Sequence, residues 1–389
     1  MSEETKDMPK VSSDMEAPKA HNYIEKLVAK LCPDGVEYVE LGGVTVIKRG
    51  KSLTKKNTLP GNIPVIAGGR SPAYYHSTSN RQGPVIVVAG SGAYAGYVSY
   101  WESDIYASDA FSVKPKDSDL ASIKYIYYFL SSKQNKLYRL QSGSGVPHVY
   151  PRDFNKLIIP FPPLEVQNAI VEILDKFTKL EAELEAELAA RRAQYEYYRN
   201  SLFENLNGGG SEILGNLVKI KNGKSYKGFN SGDIPVYGSG GIMTYVDRSA
   251  YSGPSVLIPR KGSIGNIFYV DAPFWNVDTI FYTEINREQV TPKYLYHALQ
   301  VQNLSELNTA GGVPSLTQTV LKRVRIPLPP LAEQERIVKI LDKFDALVND
   351  ISSGLPAEIE ARRKQYEYYC DRLLTFPRKP ESAVEAMQR

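Results

Sequence analysis

Two kinds of hydrophobic pattern alternate along the chain. Beyond residue 164, apolar side chains fall at Ile170, Leu174, Phe177, Leu184, Leu188, Tyr195, Tyr198 and Leu202, in steps of three, four and seven that keep to one helical stripe. Pro162-Pro163 suits the start of a helix and Asn207-Gly208-Gly209-Gly210 its end, so the pattern predicts a helix over 165–206. At 1.5 Å per residue it is roughly 63 Å long. A second stripe runs through Ile337, Leu341, Phe344, Leu347, Ile359, Tyr366, Tyr369 and Leu373. It should break at Gly354-Leu355-Pro356, because proline in a helix interior costs about 3 kcal/mol. Elsewhere the apolar runs are short and bounded by Gly and Pro, as at 84–88 and 255–258, which predicts buried strands in loop-rich sheets. Short helices are expected at 123–137 and 292–304. The fold class is α+β.

The alternation is an internal duplication. RRAQYEYY at 191–198 recurs as RRKQYEYY at 362–369, and PPLEVQNAIVEILDKF at 162–177 recurs as PPLAEQERIVKILDKF at 329–344. GNIPVIAGG at 61–69 returns more loosely as GDIPVYGSG at 232–240, and GKS occurs at Gly50 and Gly223. Each half is therefore a variable unit followed by a closely repeated helical segment, far too long a period for a solenoid. The boundaries are an N-terminal tail 1–20, a first head 21–161, a helical segment 162–208, a second head 209–328, a second helical segment 329–376 and a tail 377–389. The first twenty residues have no apolar core segment and no cleavage site, and are expected to be a disordered, solvated tail.

Composition narrows the classes. In 389 residues there are only Cys32 and Cys370 and four His, which excludes a disulfide scaffold and gives no zinc-ligand spacing; no apolar run is long enough for a membrane span. A reducing cytoplasm is the expected compartment.

Charge is uneven. The net +4 hides heads that carry +7 (21–164) and +4 (207–330) and helical segments that carry −4 (165–206) and −2 (331–376). Basic globular units joined by acidic helices suggest that the heads meet a polyanion, with nucleic acid first among candidates. Lys and Arg beside Gly, Ser and Tyr in loops can hold phosphates or reach base edges. On that chemistry the candidate DNA contacts are Lys51, Arg70, Tyr74, Arg81, Ser91 and Arg152 in the first head. In the second they are Lys224, Tyr226, Tyr237, Arg248, Arg260 and Lys261. A solvated turn is the bland reading of any one lysine; the stripe tyrosines are expected to pack.

Catalytic motifs are missing. A P-loop needs a glycine five residues before Gly-Lys-Ser, and Thr45 and Val218 stand there. An amino-methyltransferase should carry Asn or Asp before Pro-Pro-aromatic, but the chain has Phe161-Pro162-Pro163-Leu164 and Leu328-Pro329-Pro330-Leu331. The glycine clusters at 90–92 and 143–145 lack the helix and acidic residue of a dinucleotide site. The inference is a non-enzymatic recognition subunit.

These features resemble the DNA-specificity (S) subunits of type I restriction-modification systems. The resemblance rests on the two PPL lead-ins, the ILDKF runs, the ARR-x-QYEYY segments, LCPDGVEY at 31–38 and GLPAEIEARRKQYEYY at 354–369; the first lead-in departs from the pattern, with Val166 before Gln167. It implies two α/β target recognition domains in tandem, each binding one half of a bipartite double-stranded DNA site. Two long helices, conserved in the family, would pack as an antiparallel coiled coil about a pseudo-twofold, set the spacer and dock two methyltransferase subunits. Restriction subunits would complete the complex. No cofactor is expected in this chain; S-adenosylmethionine, ATP and Mg2+ would belong to the partners. Duplex DNA has matching dyads, so a tandem protein with pseudo-twofold heads can face both half-sites equivalently. Two rival readings remain open at this point: a chain that recognises and methylates DNA itself, and a scaffold whose heads bind protein or glycan.

Overall fold

The computed structural model describes residues 17–143, 145–206, 210–308, 312–349 and 354–380, of which 17–21 and 346–349 are described in backbone only. The chain divides into two compact units, Met1–Glu183 with Glu360–Arg389, and Leu184–Ile359. This division by compactness cuts through both helical segments, whereas the boundaries expected from sequence separate heads from helices.

The first unit opens with α1 (Ala17–Leu31) and continues through β1 (Tyr38–Glu40), α2 (Leu41–Val44), β2 (Thr45–Arg49), β3 (Ile63–Ile66) and β4 (Tyr74–His76). Next come β5 (Val85–Ala89), β6 (Val98–Trp101), β7 (Tyr106–Ala107), β8 (Ala110–Pro115), α3 (Ile123–Ser132), α4 (Gln134–Tyr138), α5 (Pro151–Asn155) and β9 (Ile158–Pro160). Three sheets result, in the orders β2-β8-β5-β6, β4-β3-β7 and β1-β9. β5 is buried along its whole length, as an apolar run between two sheet neighbours must be. One face of the four-stranded sheet meets Tyr125, Phe129, Phe154, Ile170 and Leu174; Val85, Val87 and Ala107 form a smaller core.

The chain then enters α6 (Leu164–Glu204) and repeats the plan: β10 (Gly210–Ile213), α7 (Leu214–Leu217), β11 (Val218–Asn222), β12 (Ile234–Gly238), β13 (Gly241–Val246), β14 (Ser255–Pro259), β15 (Phe268–Val270), β16 (Trp275–Asn276) and β17 (Ile280–Ile285). It closes with α8 (Pro292–Val301), α9 (Gln318–Leu321), β18 (Arg325–Leu328), α10 (Leu331–Asn349) and α11 (Leu355–Leu373). The sheets are β11-β17-β14-β15, β13-β12-β16 and β10-β18, the same orders with the same partners. Antiparallel and parallel pairings recur too: β3 pairs β7 in parallel as β12 pairs β16.

Each head is fastened to the helix that follows it by the same side chains. Gln167 has no exposed surface; its oxygen accepts from Ser122 N (2.8 Å) and its amide donates to Leu120 O (3.0 Å) and Pro162 O (2.8 Å). Gln334 repeats this with Thr291 N (2.8 Å), Gln289 O (3.0 Å) and Pro329 O (2.9 Å). Lys124 reaches Asp175 at 2.9 Å and Lys293 reaches Asp342 at 2.6 Å, while Tyr125 and Tyr294 each donate to the carbonyl of a proline, Pro160 and Pro327, at 2.9 Å.

In the first unit α6 and α11 run antiparallel, with Phe177 stacked on Tyr369 (5.3 Å) and Glu181 paired with Arg363 (2.7 Å). Ile170, Leu174, Tyr369 and Leu373 are buried there, Tyr366 partly so, and Ile359, at the edge of the second unit, is buried as well. In the second unit Tyr195, Ile337 and Leu341 are buried, and Leu202 and Phe344 pack against them. Leu184 and Leu188 are half-buried. Tyr198, expected within the stripe, is 44% exposed, although its ring lies 5.7 Å from Phe344.

Several expectations change. α1 starts inside the segment assigned to a disordered tail, because Ile24 and Leu27 lie one turn apart and are buried in the first core; residues 1–16 lie outside the described residues. The C-terminal tail is tied down at its start, where Val36 N donates to Pro377 O (2.8 Å) and Lys379 N to Val36 O (3.0 Å); 381–389 lie outside the described residues. The single helix expected at 123–137 is two, separated at Lys133, since Gln134 turns its side chain to Val98 N and Gly96 O. The helix expected at 292–304 ends at Val301, and Leu304–Leu307 is a 3-10 turn. Of the expected Asn207-to-Gly210 stop, 207–209 lie outside the described residues and Gly210 begins β10; Ser144 of the 143–145 cluster also lies outside. Residues 350–353 lie outside as well; α11 begins at Leu355 with Pro356 in its first turn, where the missing N–H has no helical partner to lose.

Candidate nucleic-acid interface

In each unit one end of the sheets gathers the loops that sequence marked as basic. In the first unit Gly50 N donates to Ala110 O (2.7 Å), Lys51 N to Ala107 O (3.0 Å), Ser108 N to Ile66 O (2.8 Å) and Gly90 N to Asp109 O (3.0 Å). Gly92 N donates to Pro147 O (3.0 Å), and Ser91 bridges His148. Five segments from distant parts of the chain thus meet: those after β2, β3 and β5, the β7–β8 link, and the approach to α5.

The second unit builds the same end from other residues. Lys224 N donates to Asn276 O (2.9 Å), Arg260 N to Thr279 O (2.8 Å) and Gly262 N to Pro314 O (3.0 Å), and Lys261 bridges Ser315. The recurring GKS now has a physical cause unrelated to phosphate loops. A Cβ on Gly50 would stand 2.3 Å from Ser108 O, and one on Gly223 would stand 2.0 Å from Val277 O, so only glycine allows the backbones to touch. Gly92 and Gly262 hold equivalent left-handed turns, with φ of 83° and 79°.

The side chains at these ends are cationic and aromatic. Lys51, Lys224 and Lys261 are exposed, with no ion pair among the described residues. The Arg70 guanidinium lies 4.7 Å from the Tyr94 ring centre and 5.6 Å from that of Tyr97, and a hydrogen bond with Tyr138 raises its pKa further. Such stacking fixes the planar fork, leaving its edge able to address phosphate or guanine. Arg152 sits 5.1 Å over Tyr150, which stacks on His148, and pairs with Asp153 at 3.7 Å. Arg260 lies 5.8 Å over Phe281. Ser91 is at the same end, with its hydroxyl donated to the Asp109 carboxylate.

The remaining candidates are placed differently. Arg81 donates Nε to Ser112 Oγ (2.7 Å) and its terminal nitrogens to Asn80 O and Arg49 O (both 2.7 Å), so it ties strands together. The Tyr74 hydroxyl is donated to Leu53 O. Tyr237 packs among Phe268 and Phe274, and burial raises its phenol pKa. Tyr226 is half-buried beside Val236 and Trp275. Arg248 lies 5.1 Å over Phe229 and 3.8 Å from Asp247. These five are engaged within the fold by hydrogen bonds, ring contacts or a neighbouring carboxylate.

Sequence reasoning missed Tyr94, Tyr97, Tyr138 and His148. The only signal was their density beside glycine, because Tyr94, Tyr97 and Tyr138 meet Arg70 only across long chain separations, and His148 stacks on Tyr150 two residues away. Among the described residues no group of three or more His, Cys, Asp or Glu could hold a metal ion, and no helix is long and apolar enough to cross a membrane.

The comparisons with known proteins agree with this doubled layout. The family model described as the type I restriction modification DNA specificity domain matches twice, at residues 33–190 and 213–361. The EcoR124I/EcoR124II specificity subunit of Escherichia coli is 32% identical over 406 residues, covering 93% of this chain and 98% of its own. In fold, the chain is similar to the crystal structure of a type I restriction-modification S subunit from M. genitalium. The TM-score is 0.61 at 20% identity, over 90% of this chain and 97% of that one. With the family domain present twice and a relative matched along nearly its whole length, the chain belongs to the family of type I restriction-modification DNA specificity subunits.

Proposed function

We propose that the loop end of each unit is its DNA-reading surface, the first head (21–161) taking one half of a bipartite duplex site and the second (209–328) the other. One observation carries this reading: the backbone bonds that join Lys51 to Ala107, Gly90 to Asp109, Gly92 to Pro147 and Ser108 to Ile66 recur at Lys224, Arg260, Gly262 and Val277, while the side chains displayed on them differ. Matching scaffolds with different side chains are what two half-sites of different sequence require. The family is one of specificity subunits, and the chemistry lies in partner subunits.

Lys51, Arg70, Ser91 and Arg152 then contact the first half-site, and Lys224, Arg260 and Lys261 the second. Tyr74, Tyr226, Tyr237 and Arg248 hold the loops from behind, and Arg81 ties the strands beside them. The acidic helical segments dock two methyltransferase subunits, which bring S-adenosylmethionine to adenine, and restriction subunits add ATP- and Mg2+-dependent cleavage. The compartment is the cytoplasm, where these partners and their DNA meet.

Single-residue variants test the assignment. Arg70→Ala should weaken or relax reading of the first half only, and Arg260→Ala of the second only, each lost base contact costing about 1–3 kcal/mol of discrimination. The readout is the methylated motif in a host that carries the complete system. A pair of variants that both leave the motif unchanged contradicts the assignment.

A further inference from the structure

The two loop ends match, but the sheet faces beside them do not. In the first unit, β2 and β8 pair Val46 with Lys114 and Lys48 with Ser112. Ile47 and Val113, between them, turn to the core, so Lys48, Ser112 and Lys114 share the opposite face. There they line an open cavity of about 570 Å³, closed on one side by Arg81. Arg81 is held there by its bonds to Ser112, Asn80 and Arg49 and cannot swing out. No Asp or Glu lines the cavity; one carboxylate touches its rim, Asp104, which accepts from Ser79 Oγ at 3.3 Å. Lys48, Lys114 and Arg81 make no ion pair among the described residues. Three cations facing one cavity repel each other, and an anion relieves that repulsion.

The duplicate provides an internal control. At the matching register positions the second unit has Lys219 opposite Glu284 and Lys221 opposite Tyr282. Tyr251 stands where Arg81 does, for each makes the bridge to the strand-leading residue, Phe274 or Ile105. Lys221 is neutralised by Glu284 at 3.5 Å, and the Tyr251 and Tyr282 rings, 5.4 Å apart, occupy the face. One copy is filled and sets one carboxylate against two lysines; the other is open, with three cations and no carboxylate in its lining.

We propose that the β2–β8 cavity of the first unit is a phosphate subsite that takes a backbone phosphate of duplex DNA beside the first half-site, and that the second unit has no counterpart. This rests on the DNA reading of the loop end, with which the cavity is continuous. Asn80 Nδ2 donates to Ala107 O (2.9 Å), the carbonyl that also receives Lys51 N, and Arg81 binds the carbonyl of Arg49, which leads into Gly50-Lys51. Lys48 and Lys114 supply the mobile charges and Arg81 the fixed one. Phosphate contact adds affinity without sequence information, so the first head grips more strongly and the second discriminates with less electrostatic help.

The test is the salt dependence of duplex binding by the full chain with Lys48→Gln and Lys114→Gln together. Each neutralised phosphate contributes about 0.9 to the slope of log K against log salt, so the double variant, which loses the one phosphate of this subsite, should be shallower by about 0.9. Its preference for cognate over scrambled duplex should be unchanged, and Lys221→Gln should keep the parent slope. A parent slope retained by the double variant overturns the proposal. A parent protein with no salt-dependent duplex binding sinks the DNA reading itself, and the subsite with it. Lysine acylation footprinting gives a second readout on the unsubstituted chain, in which duplex should protect Lys48 and Lys114. Protection by inorganic pyrophosphate but not by duplex would assign the cavity to a free phosphate compound and overturn the DNA assignment.

Discussion

Gln167 and Gln334 show how a residue can be plain in the sequence while its work is not. Both stand in the repeated PPL lead-ins, yet their partners are backbone groups at Leu120, Ser122, Gln289 and Thr291, more than forty residues upstream. No local spacing encodes that reach. Removing either amide strands a buried N–H and two carbonyls, so Gln167→Ala or Gln334→Ala should cost about 2–4 kcal/mol in urea unfolding. A loss below about 0.5 kcal/mol would show that the bonds hold nothing. His297 was equally silent in the sequence. It is buried, with the Tyr195 hydroxyl 3.3 Å from Nδ1 and Asp342 3.9 Å from Nε2. Burial pushes its pKa down to about 4 against the opposing pull of Asp345 and Asp342. The unfolded chain, with an ordinary value near 6.5, therefore binds more protons between those limits. Stability should fall as pH drops from about 6.5 towards 4, by up to about 1.4 kcal/mol per pH unit, and level off below. His297→Gln should flatten that part of the thermal-unfolding profile; an identical profile would rule out this histidine as its source.

At the scale of elements, what is periodic was legible and what is paired was not. The helix over 165–206 appears as Leu164–Glu204, starting directly after Pro162-Pro163. The buried strands at 84–88 and 255–258 appear as Val85–Ala89 and Ser255–Pro259. That β2 pairs β8 across more than sixty residues could not be inferred, since register depends on cores that only the assembled sheets create. The charge difference between Lys114 and Glu284 was likewise visible as letters but meaningless until the strands placed them at equivalent positions. Within α6, Leu180-Glu-Ala-Glu183 and Leu184-Glu-Ala-Glu187 form a tandem four-residue repeat. Inserting one further repeat after Glu187 adds about 6 Å and turns the helix by about 40°. If helix length sets the distance between half-sites, the methylated motif should gain one or two spacer base pairs with both halves unchanged. An unaltered spacer would remove the helix from that role.

For the whole molecule, the averaged charge of +4 is the least informative number and its distribution the most. Positive charge lies on the heads and negative charge on the helical segments, matching a division between DNA-facing and partner-facing surfaces. The duplication was legible from the motifs, and with it the family. The unequal grip of the two heads was not, because it comes from a cavity that one copy leaves open and the other fills. The central claim is that each head independently reads half of one site. Genome-wide mapping of methylated adenines in a host carrying the complete system tests it most directly, once with this chain and once with residues 21–161 exchanged for those of a relative. The account predicts a single asymmetric bipartite motif with a fixed spacer, in which the exchange rewrites one half and leaves the other intact. A motif that is undivided, or that changes in both halves, would contradict it.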